Sequence, residues 1–264
     1  MKNMETHYTK LIGIALCAAV FVTATVTASS ADAQRRRVRR VRSQHAVAQT
    51  TQPAQPAQVA GPAHTNARDQ IAPGAAVALP GGLFVRLGDT PAEVTLLQST
   101  CGGARTETCN NAIDDDCDGQ IDEACPIAHT NSQGQPPTPV GTGAVQITLA
   151  WNSESDMGMT VIEPDNGELP DTEGRVSDNG GEYQIAVNSA CTDQQATKVE
   201  NVRYARMPRL GRYIVRPQLQ FLCSAPRARA TMSISVGGRV IAAYQFVLDE
   251  RNETREFSFL LDDQ

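Results

Sequence analysis

The chain is poor in the side chains that most catalytic sites require. Of its 264 residues four are histidine, and none of them falls in the last 122 residues; His45, His64 and His129 stand in segments rich in Gln, Pro and Thr. Beyond Lys10 the one lysine is Lys198. Serine–histidine–aspartate, cysteine–histidine and histidine–metal chemistry therefore lack a base or a ligand. Aromatic residues make up 5% of the chain, with Trp151 the single tryptophan. The longest apolar run, Leu11 to Val22, is 12 residues, short of the roughly 20 needed to span a bilayer as a helix. Basic charge is also short: 23 Lys+Arg against 29 Asp+Glu leave a net charge of −6. A phosphate footprint needs a basic folded face, so nucleic acid is an unsuitable partner.

The charge that is present is segregated. Segment 34–100 holds eight basic and three acidic residues, whereas 101–125 holds one and seven. Such sorting divides the chain into parts. Residues 1–33 combine Lys2 and Lys10, the short apolar run and Ala31-Asp32-Ala33, which reads as a secretory signal cleaved after Ala33. No transmembrane span is expected after its removal. The arginines at 35, 36, 37, 39, 40 and 42 follow at once, against the usual sidedness of positive charge. They read as a solvated basic arm, whose functional counterpart is adsorption to an anionic cell envelope or extracellular polymer. Residues 34–82 are expected to form a disordered tether, with Pro53, Pro56, Pro62, Pro73 and Pro80 and no apolar period. Segment 83–100 alternates weakly and offers extra strands, and 126–142, with Pro136, Pro137 and Pro139, reads as a second linker.

Cysteine is the residue the chain uses deliberately. Beyond Cys17 there are six: Cys101, Cys109, Cys117, Cys125, Cys191 and Cys223. An even set in an exported chain is a disulfide framework, and secreted, periplasmic or outer-surface locations suit it. Four of them, spaced eight apart, frame CGGARTETCNNAIDDDCDGQIDEAC at 101–125. The spacing leaves their three possible pairings open. Inside lies D-x-D-x-D-G-x-x-D, starting at Asp114. Calcium takes six to eight hard oxygens, and Asp114, Asp116 and Asp118 stand at loop positions 1, 3 and 5. Gly119 permits the sharp turn, Gln120 offers a main-chain carbonyl, and Asp122 at position 9 reaches back. Position 12 is Cys125 rather than an acid, which predicts weak affinity, ~10⁻⁴–10⁻³ M as in extracellular modules. Six acids in ten residues repel one another unless a cation neutralises them. Zinc is less suitable, because zinc sites favour cysteines two to four residues apart.

TETCNNAIDDDCDGQIDEAC resembles the repeated CxNGIDDDCDGxxDE element of exported bacterial surface proteins, the MopE-type metal-binding motif, with Ala112 in place of the usual Gly. That resemblance implies metal binding at the cell surface and brings copper in as an alternative. An all-oxygen donor set suits calcium better than copper.

From 143 to 264 the apolar period becomes two. Val145, Ile147, Leu149 and Trp151 alternate, then Met157, Met159 and Val161, then Tyr183, Ile185 and Val187. Tyr213 to Phe221, Ala230 to Val236, Val240 to Leu248 and Phe257 to Leu261 follow, with Gly237-Gly238 as a two-residue hairpin turn. The expected fold is an all-β, antiparallel β-sandwich of about seven or eight strands, preceded by the small calcium-loop module and disordered linkers. Pairing Cys191 with Cys223 would staple it. ITLAWNSESDMGMTVIEPDNGE and ENVRYARMPRLGRYIVRP are similar to segments of the YfaP-like exported bacterial domains, whose function is not established. Gly158 replaces the second acid of that family's opening, which removes half of any paired-acid site there. Asp156, Glu163, Asp165 and Glu168 leave a carboxylate-based hydrolase as an alternative, and a solvated acidic loop is the simpler account. Arg203, Arg206, Arg209, Arg212 and Arg216 form either a stripe for anionic polymers or strand-face ion pairs with neighbouring acids. The function expected is that of an exported, non-enzymatic protein with a structural calcium loop and an interaction or surface-structural role. An adhesion or glycan-binding module is the alternative.

Overall fold

The computed structural model describes residues 73–97, 106–127, 137–187, 189–192 and 197–263. The expected signal at 1–33, the Arg35–Arg42 cluster, the tether up to residue 72 and Cys101 lie outside them. All described residues fall in one compact unit.

Alternation produces strands, and the strands form two antiparallel sheets. In chain order they are β1 (Ala76–Ala78), β2 (Phe84–Leu87), β3 (Thr95–Leu96), β4 (Pro126–Ile127), β5 (Thr138–Pro139), β6 (Val145–Trp151), β7 (Asp156–Ile162) and β8 (Glu168–Leu169). They continue with β9 (Arg175–Val176), β10 (Gly181–Ile185), β11 (Val199–Tyr204), β12 (Gly211–Phe221), β13 (Ala228–Val236), β14 (Arg239–Leu248) and β15 (Phe257–Asp262). One sheet has the order β1-β2-β15-β12-β7-β8 and the other β3-β14-β13-β6-β11-β10-β9, while β4 and β5 pair separately. Between residues 143 and 264 eight strands have five residues or more, which is the expected sandwich.

The inner faces meet through aromatic rings. Tyr204 of the seven-stranded sheet sets its ring edge-on to Tyr213 of the six-stranded sheet, with centroids 5.9 Å apart. Tyr213 stacks on Phe259 at 5.0 Å, and Tyr244 packs on Phe257 across the sandwich at 4.5 Å. These rings and the aliphatic residues Val145, Ile147, Leu149, Val161, Val215 and Ile234 are fully buried. The Gly237-Gly238 turn has φ of 61° and 75°, the left-handed pair that a two-residue hairpin between Val236 and Arg239 demands. A bulge between Ile234 and Ser235 slips the register of β14, so Ile241 is buried although strict alternation from Val240 would turn it outward.

The sheets begin earlier in the chain than composition suggests. β1 and a short 3-10 turn at Pro80–Gly82 lie inside the expected tether 34–82, and Leu79 is buried beneath that turn. A few apolar residues suffice because β2 offers β1 a ready edge: Ala76, Val77 and Ala78 pair with Arg86, Val85 and Phe84. β2 itself joins β15, and β3 joins β14. The expected linker 126–142 likewise contains β4 and β5, with Ile127 and Val140 buried. Its start is tied by the disulfide between Cys109 and Cys125, and the Val140 amide donates to the Cys125 carbonyl at 3.0 Å. Proline-rich composition does not reveal such local anchors.

The second described disulfide joins Cys191 to Cys223, as expected, and Cys117 is disulfide-bonded as well. No helix among the described residues is long and apolar enough to cross a membrane.

Candidate metal centre on the outer sheet face

Strand β6 is buried at every position, unlike the half-exposed strand its alternation implies. The reason is the acidic module, which lies on its outer face. Gln146, Thr148, Ser233 and Ser235 point away from the core on β6 and β13 and are nonetheless buried. The Ile121 amide donates to Gln146 Oε1 at 3.2 Å, and Gln146 Nε2 returns a bond to the Ile121 carbonyl at 2.7 Å. Ser233 and Ser235 hydroxyls donate to the carbonyls of Ala112 and Gly119 at 2.5 Å each. Polar side chains of the sheet thus satisfy main-chain groups that burial would otherwise leave unpaired. Ile121, which the loop's eighth position makes an apolar anchor, is fully buried.

The loop curls tightly: Asn110, Ala112, Cys117, Gly119, Asp122 and Ala124 all have positive φ. Ala112, where the resembling motif has Gly, stands at φ 54°.

Two acidic groups share Asp116. Glu107, Asp114 and Asp116 bring one carboxylate oxygen each within 4.8 Å of one another, and so do Asp116, Asp118 and Glu123. Asp114 also accepts the amides of Cys117 at 2.7 Å and Gly119 at 2.9 Å, which folds the turn around its carboxylate. Asp118 accepts the Gln120 amide at 2.9 Å and the Gln120 side-chain Nε2 at 2.6 Å. Glu107 spans the loop, accepting the amides of Asp115, Asp116 and Asp122 at 2.9–3.1 Å. One oxygen of Glu123, Oε2, is buried without a hydrogen-bond partner.

Of the five expected ligands, Asp114 and Asp116 fall in the first group and Asp116 and Asp118 in the second. Asp122 does not join either group. Fully buried, it accepts the amides of Asn110, Asn111 and Ala112 at 2.9, 3.3 and 2.8 Å and braces the turn before the loop. The side chain of Gln120 donates to Asp118, which leaves its main-chain carbonyl, the group expected as a ligand, a separate matter. Glu107 and Glu123 take part instead. Glu123 stands within the acidic run; Glu107, seven residues before the loop, carries no spacing signal.

Burial governs the electrostatics. Desolvation raises Glu107 to about 7, with Asp114 adding repulsion, although three amides pull it down. Glu123 is raised to about 7 by burial and by Glu107, Asp118 and Asp116. Asp114 and Asp122 rise to about 6, again through burial, opposed by the amides they accept. In each of these acids burial disfavours the charged form, and repulsion from neighbouring carboxylates adds to it.

The other candidate residues are engaged elsewhere. Glu163 accepts hydrogen bonds from Ser177 at 2.6 Å and Tyr204 at 2.8 Å, and Asp165 pairs with Arg209 at 2.6 Å. Asp156 accepts the Ala190 amide at 2.6 Å, and Glu168 is exposed on β8. Gly158 makes room for Asp171: a methyl group there would stand 2.1 Å from Asp171 Oδ2. The arginines follow the ion-pair reading in part, with Arg203 on Glu182 at 2.8 Å and Arg216 on Glu256 at 3.0 Å. Arg212 bonds Ser258 at 3.2 Å, and Arg206 is exposed.

No protein-family model matches this chain, and no curated protein or solved structure matches it either, so its two family resemblances rest on the residues quoted for them.

Proposed function

We propose that the chain is an exported, non-enzymatic protein of the bacterial envelope or exterior, in which the 107–123 loop holds a structural calcium ion. The ion fastens the module to the β-sandwich, and the sandwich serves an interaction or surface-structural role. The observation that carries this reading is Glu123 Oε2, a buried and unpartnered carboxylate oxygen grouped with Asp116 and Asp118. An orphaned anionic oxygen beside two more carboxylates fits a cation of high charge density. Glu107, Asp114, Asp116, Asp118 and Glu123 are the residues that would hold it, and the ion would supply charge neutralisation. Copper is the competing reading; the absence of imidazole or thioether donors from these groups favours calcium. Two disulfides support an oxidising compartment.

Isothermal calorimetry of calcium into the purified chain, wild type against Asp116→Asn, tests the proposal. Binding at submillimolar to millimolar calcium that Asp116→Asn weakens is the expected result. No heat and no thermal stabilisation at millimolar calcium overturns it, and heat with copper alone transfers the site to that metal.

A further inference from the structure

Between the sheets, apart from the acidic loop, two carboxyl groups meet one phenol and a third lies near enough to act on them. Glu200 on β11 pairs in register with Leu149 and points into the core, where it is fully buried. Tyr183 on β10 is equally buried, and its hydroxyl accepts the Met159 amide at 3.2 Å and donates its proton to Glu200. Asp171 lies against the same hydroxyl and accepts Gln220 Nε2 from β12 at 2.6 Å. Asp156 on β7 adds a third carboxyl.

Asp171 comes from the segment that joins β8 to β9. Those two-residue strands are the edges of different sheets, so this connection crosses the side of the sandwich. Its carboxyl enters the space opened by Gly158. Residues 172–174 beside it are exposed.

Proton counting decides the chemistry. Tyr183 has one proton and two carboxyls against its oxygen. The charged groups that act most strongly on Glu200 are Asp171 and Asp156, and on Asp156 it is Asp171. Like charges buried together cannot all ionise. We propose that Glu200 is a neutral carboxylic acid at neutral pH and that Asp171 is a pH-operated pin, which closes the side of the sandwich while the cluster keeps its protons and loosens the 170–176 crossing once they leave.

The sign follows from the direction of the shifts. Burial raises all three carboxyls, Asp156 to about 6, and neighbouring acids add to it at Asp156 and Glu200, while Gln220 and Tyr183 pull Asp171 back. Their contribution is complete below the ordinary carboxylate range and declines as pH rises through the folded values. The short edge strands give way first, because they hold few backbone bonds.

Hydrogen exchange on the full chain at constant calcium, corrected for intrinsic pH dependence, reads the pin. The Gly174 amide donates to Tyr183 O and the Arg175 amide to Thr172 O. In the wild type their opening should increase up to about tenfold per pH unit above neutrality for each proton lost. Glu200→Gln and Asp171→Asn should each flatten that rise. A rise in Glu200→Gln equal to the wild type overturns the proposal. Infrared spectra need no stable variant: the wild type at pH 7 should show the carbonyl stretch of a buried carboxylic acid, and its absence overturns the proposal too.

Discussion

Gly119 touches the hairpin turn of the sandwich so closely that a methyl group on its Cα would stand 1.9 Å from the carbonyl oxygen of Gly238. The glycine of the acidic loop therefore has two duties. Its φ of 89° lets the loop turn around Asp114, and its missing side chain lets the loop reach the sheet.

Replacing Gly119 with Ala should lower stability by about 3 kcal/mol, the left-handed cost plus the displacement of the module from the β13–β14 turn. Gly81→Ala is the control: Gly81 has φ 83° and nothing within 4 Å of the new methyl. It should cost about 1 kcal/mol. Urea unfolding of both variants measures the difference, and equal losses would remove the contact from the explanation.

Asp122 and Glu123 are adjacent but should separate cleanly. Glu123→Gln should weaken calcium binding while leaving the calcium-free protein as stable as before or more so, since burial and the neighbouring acids already disfavour the charged form of Glu123. Asp122→Asn should destabilise the protein with or without calcium, by about 1–3 kcal/mol, because the carboxylate serves three amides. Calcium titrations and melting curves on both variants decide it.

Calcium itself should stabilise. At 10 mM ion and a Kd of ~10⁻⁴ M the gain is about 2.7 kcal/mol, removable with a chelator. The melting temperature should rise with the logarithm of calcium concentration above the Kd. A melting temperature that ignores both calcium and chelator is the contrary result.

Gln146 joins the module to β6 through both its amide atoms. Gln146→Ala leaves the Ile121 amide and carbonyl buried without those partners and should cost about 2 kcal/mol. Exchange at Ile121 should accelerate more than exchange at Ile147 on the opposite face of β6.

Removing the Cys191–Cys223 bridge by a double serine substitution should cost roughly 3–4 kcal/mol, from the chain entropy of its loop. Denaturant unfolding with and without the bridge gives the value.

Local pattern alone carries the sandwich, since Val145, Ile147, Leu149 and Trp151 must share one face of a strand whatever surrounds them. The Gly-Gly turn is equally local, because few other residues adopt its two left-handed positions. The run from Asp114 to Asp118 likewise announces an acidic turn, with its alternate carboxylates drawn together by amides one turn away. What lies beyond such reach is any relationship between distant segments. Gln146, Ser233 and Ser235 look like solvent-facing residues of their strands until the module covers them. Glu107 enters the carboxylate cluster, Asp122 stands outside it, and Asp171 fills the gap at Gly158 because the chain returns on itself there. Periodicity reports which way a side chain faces. Only the packed chain sets what it meets, since burial and unpaired main-chain groups are properties of the whole assembly.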